Sequence, residues 1–192
     1  PAVIDVEAAI VPGTPLLWPE HESNVVASFD ASWDDDVLAG ADVVARGRFV
    51  NQRLAPVPME GNGIAVEPHG DGTFTAWVST QVPFDVRDDL ADVLGVEKSH
   101  VRTIAPDVGG GFGAKLQVYP EYLAVAAAAA RLGRPVRWIE GRSEGLLALT
   151  HGRAQVQFVE IGARRDGTLV GLRADLLADM GAYPIGAFLP NT

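Results

Sequence analysis

Cysteine is absent from this chain of 192 residues. The chain can therefore form no disulfide, and it can supply no thiolate to a zinc site or an iron–sulfur cluster. The absence also removes the usual sequence evidence about an oxidising or reducing compartment. Any iron–sulfur chemistry associated with this chain would have to be located in another domain or subunit.

Long apolar runs and basic clusters are also lacking. No apolar run approaches the roughly 20 residues of a membrane-spanning helix, and no N-terminal segment has the basic, apolar and small-residue order of a signal peptide. The 15 lysines and arginines are outnumbered by 25 aspartates and glutamates, which gives a formal net charge of −10. Such a charge would repel a nucleic-acid backbone or an anionic membrane surface. We therefore expect no nucleic-acid partner and no membrane span.

The length and the apolar content predict a folded protein. Apolar residues make up 47% of the chain, and its length suits one domain or two small ones. We expect residues 1–40 to be an N-terminal connecting segment and residues 41–192 to be part of one larger domain. The chain starts at Pro1 and ends at Thr192 directly after an apolar stretch. We therefore expect it to be a piece of a longer protein.

Alternating apolar residues and turn residues predict a series of strands. The expected strands cover residues 42–50, 64–67, 73–80, 101–104 and 136–140, followed by a hairpin of 154–163 with 168–178.

Helical periodicity predicts helices between these strands. They cover residues 84–94, 116–132 and 142–149, with short helical turns at 7–9 and 37–39. Asp5 is expected to cap the first short turn, and Gly95 to end the helix at 84–94. Asp34-Asp35-Asp36 is interpreted as a helix start rather than a calcium loop, because the ligand spacing and glycine of such a loop are missing. The order predicts an α+β (mixed α/β) fold, a mixed sheet with packed helices.

The densest glycine cluster follows the predicted strand at 101–104. Gly109, Gly110, Gly111 and Gly113 lack Cβ atoms, so their backbone can approach another molecule closely. Their amides would lie just ahead of the predicted helix at 116–132, where an anionic ligand is favoured. The cluster is therefore a candidate loop for a phosphate, a pyrophosphate or an oxyanion, with a flexible surface connector as the alternative.

Two nucleotide-binding motifs can be compared with this loop. A Walker P-loop is excluded, because Leu116 follows Lys115 where a magnesium-binding serine or threonine is required. The looser dinucleotide fingerprint fits as Gly109-x-Gly111-x-x-Ala114 between a strand and a helix. The insertion of residues 106–108 and the bulk of Phe112 count against the tight turn that this fingerprint needs. A dinucleotide-binding α/β domain is therefore kept only as an alternative.

Several blocks of the chain, in the same order, resemble the molybdenum hydroxylases, the family of xanthine dehydrogenase, aldehyde oxidase and carbon monoxide dehydrogenase. Residues 105–115 are similar to the family's cofactor-contacting loop, and residues 77–81 to its segment with a glutamine at a strand end. Residues 51–60 are most similar to the carbon monoxide dehydrogenase branch. Further similar blocks lie at 119–121, 133–136 and 150–153. The resemblance covers essentially the whole chain and is weakest before Asp42.

This resemblance implies a role in a larger enzyme. Residues 41–192 would be part of the domain of the large subunit that binds molybdopterin, plain or as its cytosine dinucleotide. In the family, molybdenum is held by the pterin dithiolene, and oxygen from water is added to a small carbon substrate. The electrons leave through iron–sulfur and FAD-binding subunits or domains. The implied parent protein is a cytoplasmic homo- or hetero-oligomer, and we expect this chain alone to be inactive.

The resemblance also implies cofactor-binding residues. Gln81 is similar to the glutamine whose amide donates to an oxo ligand of molybdenum, a donor without charge. Gly110, Gly111, Phe112 and Gly113 resemble the loop whose backbone meets that ligand and the pterin edge. An ordinary polar strand end for Gln81 and core packing for Phe112 are the alternatives. No catalytic residue and no protein ligand of the metal can be assigned, because the family's general base lies further along the chain.

The chain also departs from the family pattern. Gly61-Asn62-Gly63 replaces the usual Pro-Arg after Met59-Glu60, which predicts a looser stretch and leaves a cofactor-less relic scaffold as a further alternative. Phe84 stands where histidine is common. In the purine-oxidising members that this chain resembles, a glutamate that binds substrate stands at the position of Leu116. A leucine side chain forms no hydrogen bond, so purine hydroxylation is disfavoured. Lys115 is interpreted as an anion-binding or a solvated residue, and Arg142 as a surface charge.

Overall fold

The computed structural model describes residues 2–31 and 36–183, and the chain forms two compact units. Pro1–Leu54 and Arg153–Thr192 together form one of them, here called the split unit, and Ala55–Gly152 form the other, here called the continuous unit. The predicted division at residues 40 and 41 is a different one and stays a prediction.

The described residues contain seven strands and four α-helices. The strands are β1 (Val43–Leu54), β2 (Gly63–Pro68), β3 (Phe74–Val78), β4 (Val101–Ile104), β5 (Val136–Ile139), β6 (Gly152–Ala163) and β7 (Leu169–Ala178). The helices are α1 (Val6–Ala9), α2 (Pro83–Leu94), α3 (Pro120–Leu132) and α4 (Arg142–Ala148). The α+β fold with a mixed sheet is thereby confirmed. No helix among residues 2–31 and 36–183 is both long and apolar enough to cross a membrane.

The continuous unit is built on a four-stranded sheet in the order β4-β3-β2-β5. Strand β2 pairs antiparallel with β3 and β5, while β3 pairs parallel with β4. Helices α2 and α3 pack against each other and on this sheet. Their buried side chains include Leu90 and Tyr122, which meet Val66 and Val78 of the strands in one hydrophobic core.

The helices of the continuous unit begin and end at recognisable residues. Helix α2 starts at Pro83, one residue before the predicted start, and ends at Leu94. Gly95 follows it with a left-handed φ of +67°, as expected of a glycine that ends a helix. Helix α3 starts at Pro120 rather than at residue 116, so its predicted start was wrong. Residues 112–117 form turns instead. They are held by contacts that are distant in sequence and are described below.

The split unit contains a three-stranded sheet in the order β1-β6-β7. The predicted hairpin of β6 with β7 is confirmed, and β1 extends to Leu54, beyond the predicted end. The Asp5 side chain accepts a hydrogen bond of 2.8 Å from the Ala8 N–H, as expected of a helix cap. Residues 36–40 form turns, so the helix predicted at 37–39 was wrong. Asp34 and Asp35 lie outside the described residues.

Candidate functional site

The glycine loop and Gln81 emerge at the same edge of the sheet in the continuous unit. Strands β3 and β4 are parallel neighbours, so the segments that follow them leave the sheet on one side. Gln81 lies three residues after β3, and the loop of residues 105–119 connects β4 to α3. The fold thus brings together residues that are about 30 positions apart in the sequence.

The Gln81 side chain binds the loop directly. Its Oε1 accepts hydrogen bonds from the N–H of Gly113 at 3.1 Å and of Lys115 at 3.2 Å. The backbone N–H of Gln81 donates to the carbonyl of Lys115 at 2.9 Å. Because Oε1 is used by the loop, the remaining hydrogen-bonding capacity of this side chain is the pair of N–H donors on Nε2.

The loop needs glycine where it passes Gln81. A Cβ atom added to Gly111 would lie 2.3 Å from Oε1 of Gln81, a distance that only a shift of that side chain could relieve. Gly113 has a φ of +86°, and no atom lies within 4 Å of the position of its missing Cβ. The loop is therefore packed against Gln81 at Gly111 and open at Gly113.

Phe112 is an exposed residue rather than a core residue. Its side chain is 76% exposed, and its backbone has a left-handed φ of +52°. Its ring lies beside Gly110, where an added Cβ would come within 2.8 Å of it. The alternative of core packing for Phe112 is therefore wrong.

A charged cluster below the loop was not anticipated from the sequence. Oε2 of Glu60 accepts hydrogen bonds from Ser79 Oγ at 2.7 Å, from the Gly109 N–H at 2.7 Å and from Lys115 Nζ at 3.0 Å. Lys115 Nζ also donates to Ser79 Oγ at 2.6 Å. We call Glu60, Ser79 and Lys115 the loop anchor. It ties Gly109 and Lys115, the two ends of the glycine-rich part of the loop, to the end of β3.

The loop anchor holds a buried cation. The Lys115 side chain is 1% exposed, whereas that of Glu60 is 42% exposed. Partial burial raises the pKa of Glu60, but hydrogen bonds from Ser79, Gly109 and Lys115, together with the lysine charge, hold that pKa below its ordinary value. Both interpretations of Lys115 from the sequence were wrong, because this ammonium is neither solvated nor free for an anionic ligand.

The anion-binding interpretation of the loop is not supported by its geometry. Three of its amides donate to the protein's own side chains, namely Gly109 to Glu60, and Gly113 and Lys115 to Gln81. Helix α3 starts only at Pro120, so the glycines are not at a helix N-terminus. The tight turn from strand to helix that a dinucleotide fingerprint requires is also absent from residues 105–120.

The departure from the family pattern at residues 61–63 lies in a tightly held segment. Arg142 Nη2 donates to the carbonyls of Pro58 at 2.7 Å and Met59 at 2.9 Å. The Asn62 N–H donates to Oε2 of Glu140 at 2.9 Å, and Asn62 itself is buried. The predicted loosening was wrong, and Arg142 is more than a surface charge.

The structure brings together all five predicted site residues: Gln81, Gly110, Gly111, Phe112 and Gly113. Their roles towards a cofactor stay predictions. Sequence reasoning missed Glu60 and Ser79, although both lie inside blocks that resemble the family. Within residues 2–31 and 36–183, no three histidine, aspartate or glutamate side chains cluster in a way that could hold a metal ion.

Known proteins resemble this chain over most of its length. Residues 17–192 match the molybdopterin cofactor-binding domain family. The chain is similar to the carbon monoxide dehydrogenase large chain of Hydrogenophaga pseudoflava, with 33% identity over 95% of this chain and 25% of that protein. It is also similar to the nicotine 6-hydroxylase large subunit of Paenarthrobacter nicotinovorans, with 35% identity over 90% of this chain and 22% of that protein.

Solved structures share the fold. The Cu,Mo-CO dehydrogenase in its carbon monoxide reduced state superimposes with a TM-score of 0.78 and 29% identity, over 93% of this chain and 24% of that chain. Quinoline 2-oxidoreductase from Pseudomonas putida 86 gives a TM-score of 0.70 and 35% identity, over 78% of this chain and 19% of that chain. The chain therefore spans about a quarter or less of the length of these relatives.

Proposed function

Because this chain belongs to the molybdopterin cofactor-binding domain family, we propose that it is the cofactor-binding part of the catalytic subunit of a molybdenum hydroxylase. The whole enzyme oxidises a small carbon substrate, such as carbon monoxide, an aldehyde or a heterocycle, with oxygen derived from water. The similarity of residues 51–60 and the match to a carbon monoxide dehydrogenase large chain support a place near the carbon monoxide dehydrogenase branch. Part of the enzyme's site lies outside this chain, so the chain alone is inactive.

One observation carries this proposal: Gln81 is bound to the glycine loop through Oε1. The contact leaves the uncharged Nε2 donors for an oxo ligand, as the family resemblance implies for this glutamine. A solvated glutamine at a strand end would not accept hydrogen bonds from two backbone N–H groups of a loop that begins its contact 32 residues away.

The residues around Gln81 fit a group that carries oxygen acceptors. Gly113 presents backbone without a side chain, and no atom lies within 4 Å of its missing Cβ. Lys115 is paired with Glu60, so no unpaired charge of this pair faces the group. Gln81 and the backbone of residues 110–113 would hold the molybdenum cofactor. When bound, the cofactor supplies the redox chemistry, while the protein orients it.

One side chain of the loop supports a narrower substrate class. Leu116 is half exposed and can form no side-chain hydrogen bond. Substrates with several ring nitrogens gain affinity from hydrogen bonds to the protein, and a leucine removes such a contact. Small or apolar substrates are therefore favoured over purines.

The composition and one relative support a proposal about the partner subunits. Electrons must leave the cofactor, and a chain without cysteine offers no cluster ligands. Iron–sulfur and FAD-binding subunits or domains supply the route in a cytoplasmic oligomer. In support, one relative is named as subunit gamma of the 6-hydroxypseudooxynicotine dehydrogenase complex. The cofactor is molybdopterin, either plain or as its cytosine dinucleotide.

Metal and pterin analysis of the full-length protein tests this proposal. We expect matured protein, purified with its partner subunits, to contain molybdenum and to give pterin fluorescence after oxidation. The nucleotide released by acid hydrolysis distinguishes the plain from the cytosine dinucleotide form. Absence of both molybdenum and pterin from properly matured protein would reject the proposal and favour the relic scaffold.

A further inference from the structure

We propose that the loop anchor of Glu60, Ser79 and Lys115 is a positioning device that fixes the direction of the Gln81 amide. None of the three residues needs to touch the cofactor. They act through Gln81, so the consequence for activity rests on the function proposed above. The consequence for the loop itself rests only on the contacts within the continuous unit.

Lys115 connects the anchor to Gln81 because its two ends are held by different partners. Its Nζ donates to Glu60 and to Ser79, at 3.0 Å and 2.6 Å. Its backbone N–H donates to Oε1 of Gln81, and its carbonyl accepts from the Gln81 N–H. A shift of the lysine side chain would therefore move the peptide groups that hold Gln81.

Glu60 adds a second connection to the loop. Its carboxylate accepts from the Gly109 N–H, and its own N–H donates to the Gly109 carbonyl at 3.2 Å. Gly109 lies at the entrance of the loop and Lys115 at its exit. One carboxylate thereby sets the separation of the two ends between which Gly111 and Gly113 approach Gln81.

The need for a cation at this place has a physical reason. A buried ammonium is unfavourable unless acceptors surround it. The Lys115 side chain is therefore stable only where its Nζ reaches both Oε2 of Glu60 and Oγ of Ser79. Charge-assisted hydrogen bonds are short and directional. An apolar side chain of the same length would fill the space without specifying the position of the backbone.

The surface pair of Lys98 and Asp88 provides a matched control. It lies in the same unit and has an Nζ–Oδ2 distance of 2.6 Å, but the Lys98 side chain is 58% exposed. The test variants are Lys115→Met, Glu60→Gln, their double variant and Ser79→Ala. The controls are Lys98→Met and Asp88→Asn. All are made in the full-length enzyme with its partner subunits.

Hydrogen–deuterium exchange of peptides covering residues 105–119 gives the first measurement. We expect exchange in this loop to be about tenfold faster or more in Lys115→Met and Glu60→Gln, as follows from the loss of charge-assisted hydrogen bonds. A smaller increase is expected in Ser79→Ala, and none in the controls. The two main variants should be non-additive in the double variant, because they remove one interaction.

Molybdenum content and kinetics give the second measurement. We expect less retained molybdenum in Lys115→Met and Glu60→Gln, and a kcat that falls at nearly constant KM in the fraction that keeps the metal. Glu60→Asp, which keeps the charge on a shorter side chain, should partly restore loop protection.

The outcomes separate the two proposals. Wild-type enzyme without molybdenum overturns the proposed function, whereas the exchange result still decides the positioning role. Wild-type enzyme with molybdenum, combined with control-like loop exchange in Glu60→Gln and Ser79→Ala, overturns the positioning role alone. These two variants keep the side-chain size nearly unchanged and should fold. They therefore test the positioning role even if Lys115→Met does not fold. Faster exchange throughout the continuous unit, without a larger effect in the loop, also counts against positioning.

Discussion

The two units differ in where their buried apolar residues lie. In the described chain, the large hydrophobic core belongs entirely to the continuous unit, where two helices cover a four-stranded sheet. The split unit contributes Val156 to the buried apolar residues, while Phe49 and Leu176 of its sheet are exposed. Ion pairs join its strands instead, including that of Arg46 with Glu160.

This difference indicates which unit can hold a site by itself. A binding loop needs a rigid support, and Gln81 and the glycine loop both extend from the sheet that has the core. The split unit offers little buried area of its own, so its stability must depend more on its surroundings.

Shortening a leucine should affect the two units very differently. Leu90→Ala removes a side chain that is 0% exposed in the core, and should lower the free energy of unfolding of the continuous unit by about 2–5 kcal/mol. Leu176→Ala, at a residue that is 50% exposed, should cost less than about 0.5 kcal/mol. Urea denaturation followed by amide exchange measures each unit separately. Equal losses would show that the core does not distinguish the units.

Adding a methyl group to the loop should disturb the site more than the fold. Gly111→Ala places a Cβ against Oε1 of Gln81, and we expect a loss of about 1 kcal/mol, because the Gln81 side chain can move aside. That movement should also lower the molybdenum content of the full-length enzyme. The control is Gly70→Ala, where no atom lies near the added Cβ. Unchanged molybdenum content in Gly111→Ala would show that the Gln81 contact is dispensable.

Acid should weaken the loop anchor. The folded state lowers the pKa of Glu60, so its contribution to stability is fully present above the ordinary glutamate pKa of about 4.3 and is lost as the pH falls through the lower folded value. Glu60 is 42% exposed, so solvent screening limits this contribution to about 1 kcal/mol or less. The difference in unfolding free energy between wild type and Glu60→Gln, measured from pH 7 to pH 3, should shrink towards acid. A difference that grows instead would reverse the assigned sign.

The smallest effect is expected from an ion pair of the split unit. Arg173 donates to Glu160 at 2.9 Å, but the pair lies at the surface, where solvent and salt screen it. Arg173→Gln should leave the thermal midpoint unchanged within error at physiological salt. A clear decrease would mean that these ion pairs replace the missing core to a greater extent than their exposure suggests.

Local signals in the sequence predicted most of the continuous unit. The helical spacing of apolar residues with Gly95 after it placed α2 to within one residue, and the four residues of β4 were placed as observed. The start of α3 was misplaced because the predicted helix was carried back through Pro120, which is itself a local helix-start signal, to Leu116. The observed turns there depend on Gln81 and Glu60, which are distant in the sequence. A prediction from local propensity has no access to such contacts.

The candidate site was predicted only in part, for a related reason. The glycines carry a signal in their clustering along the chain, and Gln81 carries one in its resemblance to a family. Glu60 also lies in a block that resembles the family, but nothing near it in the sequence indicates its partner, because a single acidic residue after a methionine is usually solvated. Its partner Lys115 is 55 residues away, so only the folded chain shows that the two charges meet.

The double attachment of the glycine loop has a consequence for assembly of the enzyme. A loop of glycines would ordinarily lose much conformational freedom on meeting a ligand. Here its entrance is bound to Glu60, and its exit to Gln81, through contacts of the chain itself. Most of that ordering has already taken place when the chain folds, so a cofactor inserted late would meet a preorganised surface. Insertion should then be limited by access to the loop rather than by its folding.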